Sequence, residues 1–490
     1  MTRDFNYKLI FKIQGSLLIV ESVLMFSAFL VSLYYRENSI AYDILKSTGI
    51  GLLIGSLLLK YGWNASPNIG KREGSIIVTM TWILFSTIGM LPFIFSGNIP
   101  NLTDAFFETM SGFTTTGSSI LNNIESLPHG ILYWRNLTQW IGGLGIIVIS
   151  IAILPIFGFS GIQIFSAEAT GPTKDKIHPK ISEVAKRLLL IYIILTISQT
   201  ILLSIAGMSW FDAVCHSFST VATGGFSTKQ ASIEHFNSPF IEYIIIFYML
   251  FAGVNFSLYY FLAKLKFNKV FGNEELKTYL IIIIGFTAIL TISQIDFSTG
   301  LSFAQFEEYF RKAFFVTGST ITTTGFVTVD YNVWSTFTLY LIIILMLIGS
   351  SAGSTAGGMK IIRVLFVFKH SYYEFKRFIH PNAVFPLRYG GRALSENVIA
   401  RILAFVLLYL ILILAGSTFL SFTGLGFIES LSGMITSLSN VGPGLGSIGP
   451  LYNFSHLPDV SKWILSFSML IGRLELFTVL LIFTPVFWKK

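Results

Sequence analysis

Apolar residues come in long runs separated by short polar connections. Residues Ser75 to Phe95, Leu188 to Ala206, Thr336 to Met359 and Ile402 to Phe422 contain no charged side chain. Each is about 19 residues or longer, enough for a helix to cross a ~30 Å hydrocarbon core. The pattern predicts an all-α, polytopic membrane protein. A further run, Ile13 to Tyr35, follows Arg3, Lys8 and Lys12. It is longer than a signal-peptide core and lacks a clear small-residue cleavage site, so it reads as a retained first span.

If alternate runs return the chain to the same side, the connections sort by charge. One set is basic: Lys60, Lys71 and Arg72; Lys174, Lys176, Lys180, Lys186 and Arg187; Lys264, Lys266, Lys269 and Lys277; then Lys360, Arg363, Lys369, Lys376, Arg377, Arg388 and Arg392. The positive-inside rule places these connections and both termini in the cytoplasm. The other set carries Asp104, Glu108, Glu125, Asp212, Glu234, Asp296, Glu307, Glu308, Asp330, Glu429 and Asp459 against few bases. It is expected to face outward and to concentrate cations at an entrance.

The outward connections are too long for simple turns, and each holds a short helix-compatible stretch, small polar residues and then glycine. They read Thr114-Thr115-Thr116-Gly117-Ser118, Val221-Ala222-Thr223-Gly224-Gly225, Thr322-Thr323-Thr324-Gly325-Phe326 and Ser439-Asn440-Val441-Gly442-Pro443, with Gly117, Gly224, Gly325 and Gly442 separated by 107, 101 and 117 residues. Such spacing marks a unit of roughly a hundred residues used four times. Each unit reads as span, half-helix, glycine loop, span. The half-helices are expected to begin near Asp104, Asp212, Lys312 and Glu429; three of these are acids, which suit the positive end of a helix dipole.

Irregular backbone is tolerated at membrane depth only where protein buries it or where it lines a watery cavity. Four loops meeting on one axis would line a pore. A permeating ion exchanges its water shell for oxygen ligands, and backbone carbonyls supply them. Glycine reaches positive φ without a Cβ clash, so one glycine per loop is expected. The candidate K+ ligands are the carbonyls of Thr115, Thr116 and Gly117; Ala222, Thr223 and Gly224; Thr323, Thr324 and Gly325; and Asn440, Val441 and Gly442.

Residues 349 to 358, Gly-Ser-Ser-Ala-Gly-Ser-Thr-Ala-Gly-Gly, interrupt a run that would otherwise make a span. Glycine costs about 1 kcal/mol in a helix interior, so Gly349, Gly353, Gly357 and Gly358 predict a broken helix that could gate the pore. Close helix packing through Gly-x-x-x-Gly is the alternative. Arg473 lies in the middle of the last apolar run and must face protein or water. Arg473 is expected near the pore below the filter, with a gating role, and Glu475 is expected to pair with Lys360 or another base; the alternative is a pair that only holds helices together. Lys360 could instead snorkel to the surface. Glu21 has no visible role, and His216 reads as a packing residue of a half-helix.

These loops, with Gln139-Trp140-Ile141-Gly142-Gly143-Leu144-Gly145, Gly357-Gly358-Met359-Lys360, Gly472-Arg473-Leu474-Glu475 and the closing Phe483-Thr484-Pro485-Val486-Phe487-Trp488, resemble the TrkH branch of bacterial potassium transporters, in the superfamily that includes KtrB. The resemblance runs nearly end to end. It implies four span–pore helix–span repeats around one pore, preceded by two extra spans. Residues 1–70 would hold those spans, and 71–180, 181–272, 273–392 and 393–490 the repeats. It also implies an intramembrane loop beneath the filter, dimers in the bacterial inner membrane, and a cytosolic nucleotide-binding subunit, TrkA in the Trk systems. Any nucleotide would then sit on that partner, and this chain needs no cofactor. A glycine in all four loops goes with potassium preference in the family, whereas serine in place of the first accompanies sodium transport in related plant proteins; Gly117 is retained.

Composition narrows the rival functions. Of 490 residues 53% are hydrophobic and 12% charged, about half the ~25% charge of soluble domains. The net charge of +8 does not indicate nucleic-acid binding, because the bases lie between apolar runs. Cys215 is the single cysteine, so internal disulfides and cysteine metal clusters are excluded. Gly444-Leu445-Gly446-Ser447-Ile448-Gly449 has dinucleotide-fingerprint spacing but follows no strand and meets Pro450. An enzyme would need a nucleophile, base or metal cluster, and none is apparent. A proton- or sodium-coupled symporter remains the alternative to an uncoupled pore, although no spare carboxylate pair lies beside the loops.

Overall fold

The structure is a computed structural model that describes residues 5–66, 70–152, 177–296 and 302–488. Arg3, Lys174 and Lys176 lie outside the described residues, and the side chains of Lys71, Lys180 and Arg392 are likewise not described.

The described residues are mostly helical. Two long helices, α1 (Tyr7–Tyr34) and α2 (Asn38–Tyr61), pack as a hairpin and lean on α3 (Lys71–Gly89), which α4 (Leu91–Phe95) extends. Then come α5 (Leu102–Phe113), α6 (His129–Ala152), α7 (Ile177–Ile205), α8 (Trp210–Val221), α9 (Pro239–Ala252), α10 (Phe256–Ala263) and α11 (Phe267–Phe271). Next are α12 (Glu274–Gln294), α13 (Phe303–Ile321), α14 (Thr336–Ile348) and α15 (Ile361–Ile379), followed by a two-residue hairpin, Arg388–Tyr389 with Arg392–Ala393. The chain closes with α16 (Glu396–Phe422), α17 (Phe427–Ser439), α18 (Asp459–Arg473), α19 (Phe477–Leu480) and α20 (Pro485–Trp488).

Among the described residues six helices are long and apolar enough to cross a membrane, and eight spans result if two sharply bent pairs each count as one. Their outer faces carry exposed apolar side chains such as Leu53, Leu57, Ile281, Ile284, Leu407 and Leu414. In water such a surface would be a large aggregation site; in lipid it is the expected exterior. The protein is a helical, multi-pass membrane protein.

The short helices α5, α8 and α17 behave differently from the spans. Their burial is concentrated toward their C-terminal ends, where Ser111, Gly112, Ser217, Ser219, Thr436 and Ser437 are enclosed. Small residues let these ends approach one another. Polar caps start two of them: Asn101 accepts from the backbone N–H groups of Thr103 and Asp104, and Ser209 from that of Asp212.

Three expectations change. The third half-helix does not begin near Lys312; α13 starts at Phe303, where Ser302 and Gln305 form a capping box, and Lys312 lies mid-helix, paired with Glu308. The last apolar run is not one helix: α18 ends at Arg473, and a turn through Glu475 and Leu476, both at positive φ, bends the chain by 110°. The acidic set is also less open than expected, because Glu108 pairs with Arg135, Asp104 with Lys462 and Glu307 with Arg311. Those charges stabilise helix contacts before they could attract ions.

Candidate functional site

The four half-helices α5, α8, α13 and α17 end alike. At each C-terminus the chain turns into the left-handed region at a non-glycine residue: Thr115 (φ 51°), Thr223 (56°), Thr323 (55°) and Asn440 (56°). The following N–H reaches back to Ser111, Ser219, Ser319 and Thr436 carbonyls at 2.8, 2.8, 2.9 and 2.9 Å. Each turning residue itself donates to the carbonyl three positions before it. This is the Schellman closure, which helices usually make with glycine. A β-branched residue in that region is a genuine outlier, and its strain of order 1–3 kcal/mol persists only where surroundings enforce it.

Two residues later the φ angle is positive again, now at glycine: Gly117, Gly225, Gly325 and Gly442. The expected glycine of the second loop was Gly224; the backbone gives that part to Gly225, and Gly224 matches Thr116, Thr324 and Val441 instead. Ala222 correspondingly matches Thr114, Thr322 and Ser439 at the helix end.

These glycines touch neighbouring backbone. A Cβ on Gly117 would strike the carbonyl oxygen of Gly224, one on Gly225 that of Thr324, one on Gly325 that of Val441, and one on Gly442 that of Thr116. The loops therefore follow one another in chain order around a closed ring, backbone against backbone. Asn440 Nδ2 donates to Thr116 Oγ1 (2.9 Å) and Ser118 Oγ to the Gly442 carbonyl (2.9 Å), so the fourth loop is tied back to the first. The hydroxyls of Thr114 and Thr116 pair with each other (2.8 Å), as do those of Thr322 and Thr324 (2.7 Å). Four helix C-termini, each the negative end of a dipole, converge on a ring of oxygens without fixed charge, an environment that favours a partly dehydrated cation.

At the start of α8, outside the spans, burial pushes the Asp212 carboxyl up, but hydrogen bonds from Thr228 and Ser209 and the nearby His216 and Lys229 outweigh it and leave the group below the usual carboxylate range. His216 bridges the Asp212 carbonyl (2.8 Å) and Ser227 Oγ (2.9 Å) inside the protein, and Cys215 is buried beside it. Both are packing residues here.

After α14 the chain stays irregular from Gly349 to Lys360, with Gly349, Gly353, Gly358 and Lys360 at positive φ. This segment lies against the ring. The Gly357 N–H donates to Thr323 Oγ1 (2.7 Å), the Gly358 N–H to the Ser439 carbonyl (2.9 Å), and Thr355 Oγ1 to the Val221 carbonyl (3.0 Å). It thus contacts the ends of three half-helices. Arg473, 3% exposed, donates to the Thr355 carbonyl (2.7 Å) and to that of Gly142 (3.2 Å), binding the segment to α6 as well. The buried Glu275 accepts from the Ala352 N–H at 2.7 Å. Lys360 does not reach the surface; its ammonium donates to the Ala356 carbonyl. Glu475 pairs with Arg363 at 2.5 Å, so the base that it finds is not Lys360.

Several residues here escaped the sequence reading. Glu275 carried no local signal, and Arg363 stood only among the basic connections with no partner assigned. Gln139 stood within a quoted string but without a role, and Arg135 and Glu108 are met again below. Gly446–Ile448 forms a short 3-10 turn.

The family model for TrkH, described as a cation transport protein, matches residues 50–490. The chain belongs to the TrkH family. It is 40% identical over 488 residues to the Trk system potassium uptake protein TrkH of Escherichia coli K12, covering 99% of this chain and 100% of that protein. The potassium uptake protein TrkG of the same organism is 33% identical over 480 residues, with 97% of each chain covered. The crystal structure of the potassium transporter TrkH from Vibrio parahaemolyticus superposes with a TM-score of 0.90 at 35% identity, covering 99% of this chain and 100% of that one. The TrkH family is one of transporters and not of enzymes.

Proposed function

We propose that this chain takes up potassium ions across the bacterial inner membrane through a pore whose filter is the ring at 115–117, 223–225, 323–325 and 440–442. The observation that carries this reading is ring closure: four loops in chain order, each glycine against the next carbonyl. Four span–pore helix–span units, with α1 and α2 as additions, account for that closure. The ring needs close backbone approach and leaves oxygens as the available ligands, which suits a monovalent ion exchanging its hydration shell.

The segment 349–360 is the gate in this reading. It is buried against the ring and tied to five other elements through Thr323, Ser439, Val221, Glu275 and Arg473, so ions pass only when those bonds are released. The gating residues are Gly349, Gly353, Gly357 and Gly358, which permit the path, with Lys360 and Arg473 holding it; Glu475 secures the adjoining helix through Arg363. Release is assigned to a cytosolic nucleotide-binding partner of the TrkA kind, acting on a homodimer with both termini in the cytoplasm.

One observation favours a coupled symporter: Glu275 is a buried carboxylate bonded directly to the gate segment. Rubidium flux into liposomes holding this chain alone separates the two. Uncoupled conduction gives flux that is independent of imposed proton or sodium gradients; flux that requires either gradient overturns the pore reading.

A further inference from the structure

Behind the second loop, three buried side chains form a strut. Gln139 on α6 donates from Nε2 to the Gly224 carbonyl (2.6 Å) and accepts from the Phe226 N–H at Oε1 (3.0 Å). One turn earlier on the same face, Arg135 donates from Nη1 to the Ser227 carbonyl (2.9 Å), with its guanidinium 3.6 Å from the centre of the Phe226 ring. Arg135 Nε also donates to Glu108 Oε1 (2.7 Å). Glu108 in turn accepts from Ser119 Oγ and the Ile120 N–H, both at 2.9 Å. All three side chains are enclosed. A Cβ on Gly224 would collide with the Gln139 amide, so this loop is drawn tightly onto the strut.

Glu108 thus holds the chain leaving the first loop, Arg135 and Gln139 hold the second, and one buried ion pair joins the two. The arrangement is unequal around the ring. Among the described residues the matching carbonyls of Thr116, Thr324 and Val441 receive no side-chain hydrogen bond, whereas that of Gly224 does. An oxygen with one lone pair engaged from behind cannot swing freely toward a smaller ion.

We propose that Gln139, Arg135 and Glu108 are positioning residues for ion discrimination: they fix the seam between the first and second loops so that the ring does not contract around sodium. The proposal rests on the potassium-pore reading above. The test is the potassium-to-sodium flux ratio of the full chain in liposomes. Gln139→Leu should lower that ratio about fivefold to tenfold, the scale of one buried hydrogen bond lost. Gln199→Leu serves as the control: Gln199 is equally enclosed but, among the described residues, makes no side-chain hydrogen bond, and its ratio should not move. If Gln139→Leu is not recovered as folded protein, Gln139→Asn carries the test, since the shorter amide cannot span both Gly224 and Phe226. An unchanged ratio in the folded variant overturns the proposal, as does an equal fall in Gln199→Leu. An unaltered chain that fails to prefer potassium overturns the pore reading instead, so the two failures are distinguishable.

Discussion

The ring of loops and the segment at 349–360 are both irregular, glycine-containing and buried, yet they are held in opposite ways. Each loop of the ring is closed by its own half-helix through paired backbone hydrogen bonds, and its glycine then meets a neighbouring carbonyl with no side chain between. The segment has local backbone bonds too, from the Ser354 N–H to Ser351, the Met359 N–H to Leu347 and the Ile361 N–H to Ser350, but no half-helix end closes it. Its contacts go to Thr323, Ser439, Val221, Glu275 and Arg473, residues on separate elements and several of them reached through a side chain. A structure closed by its own backbone is hard to alter without unwinding a helix. One closed by distributed contacts can be released as those contacts exchange. The contrast supports assigning discrimination to the ring and opening to the segment.

The strongest way to break the contrast is to remove the segment. Deletion of residues 350–356 should raise rubidium flux as much as about a hundredfold, since a gate closed 99:1 is worth only ~2.7 kcal/mol. The potassium-to-sodium ratio should stay as it was, because the ring keeps its own bonds. Unchanged or lower flux from folded protein would show that the segment is not the barrier. A changed ratio would show that ring and segment are not separable.

Altering the ring should do the reverse. Gly117 has φ 86°, and a Cβ there would meet the Gly224 carbonyl. In Gly117→Ser the first two loops must move apart at a strain of order 1–3 kcal/mol, which corresponds to a fall of about tenfold in the potassium-to-sodium flux ratio. Total flux should change far less. Competition between sodium and rubidium entry measures this directly, and an undisturbed ratio would remove Gly117 from the filter.

The contrast also explains what could be read from the chain. Spans were legible because lipid demands uninterrupted apolar runs, and the segment at 349–358 was legible because four glycines and small polar residues cannot hold a helix. The ring was legible only in outline. Glycine was expected to make the left-handed turn, but Thr115, Thr223 and Thr323 make the first one, enforced by contacts between loops that lie a hundred residues apart. Two consecutive glycines, Gly224 and Gly225, concealed a one-residue shift that only the backbone angles resolve. The bend after Arg473 falls at Leu474-Glu475-Leu476, all ordinary helix formers, so tertiary packing overrides propensity there. Likewise the Arg363–Glu475 pair joins residues far apart in the chain, and nothing local announces it.

The smallest of these effects probes a single contact between the two regions. Arg473 places one donor on the Thr355 carbonyl and another on that of Gly142, so its planar fork bridges the segment and α6. Arg473→Gln retains one amide group but cannot supply the fork. The loss of about one hydrogen bond, ~1 kcal/mol, should raise flux about fivefold. Arg473→Lys keeps the charge and loses the planar geometry, so it isolates the two contributions. If geometry holds the segment, the lysine variant also conducts faster than the unaltered chain; if positive charge alone impedes the ion, it conducts as slowly. Because Arg473, among the described residues, makes its hydrogen bonds to Thr355 and Gly142 and to none of the four loops, both variants should keep the original potassium-to-sodium ratio. A shift of that ratio in either would mean that the segment presses on the ring strongly enough to shape it, and the division between a self-closed filter and a releasable gate would then fail.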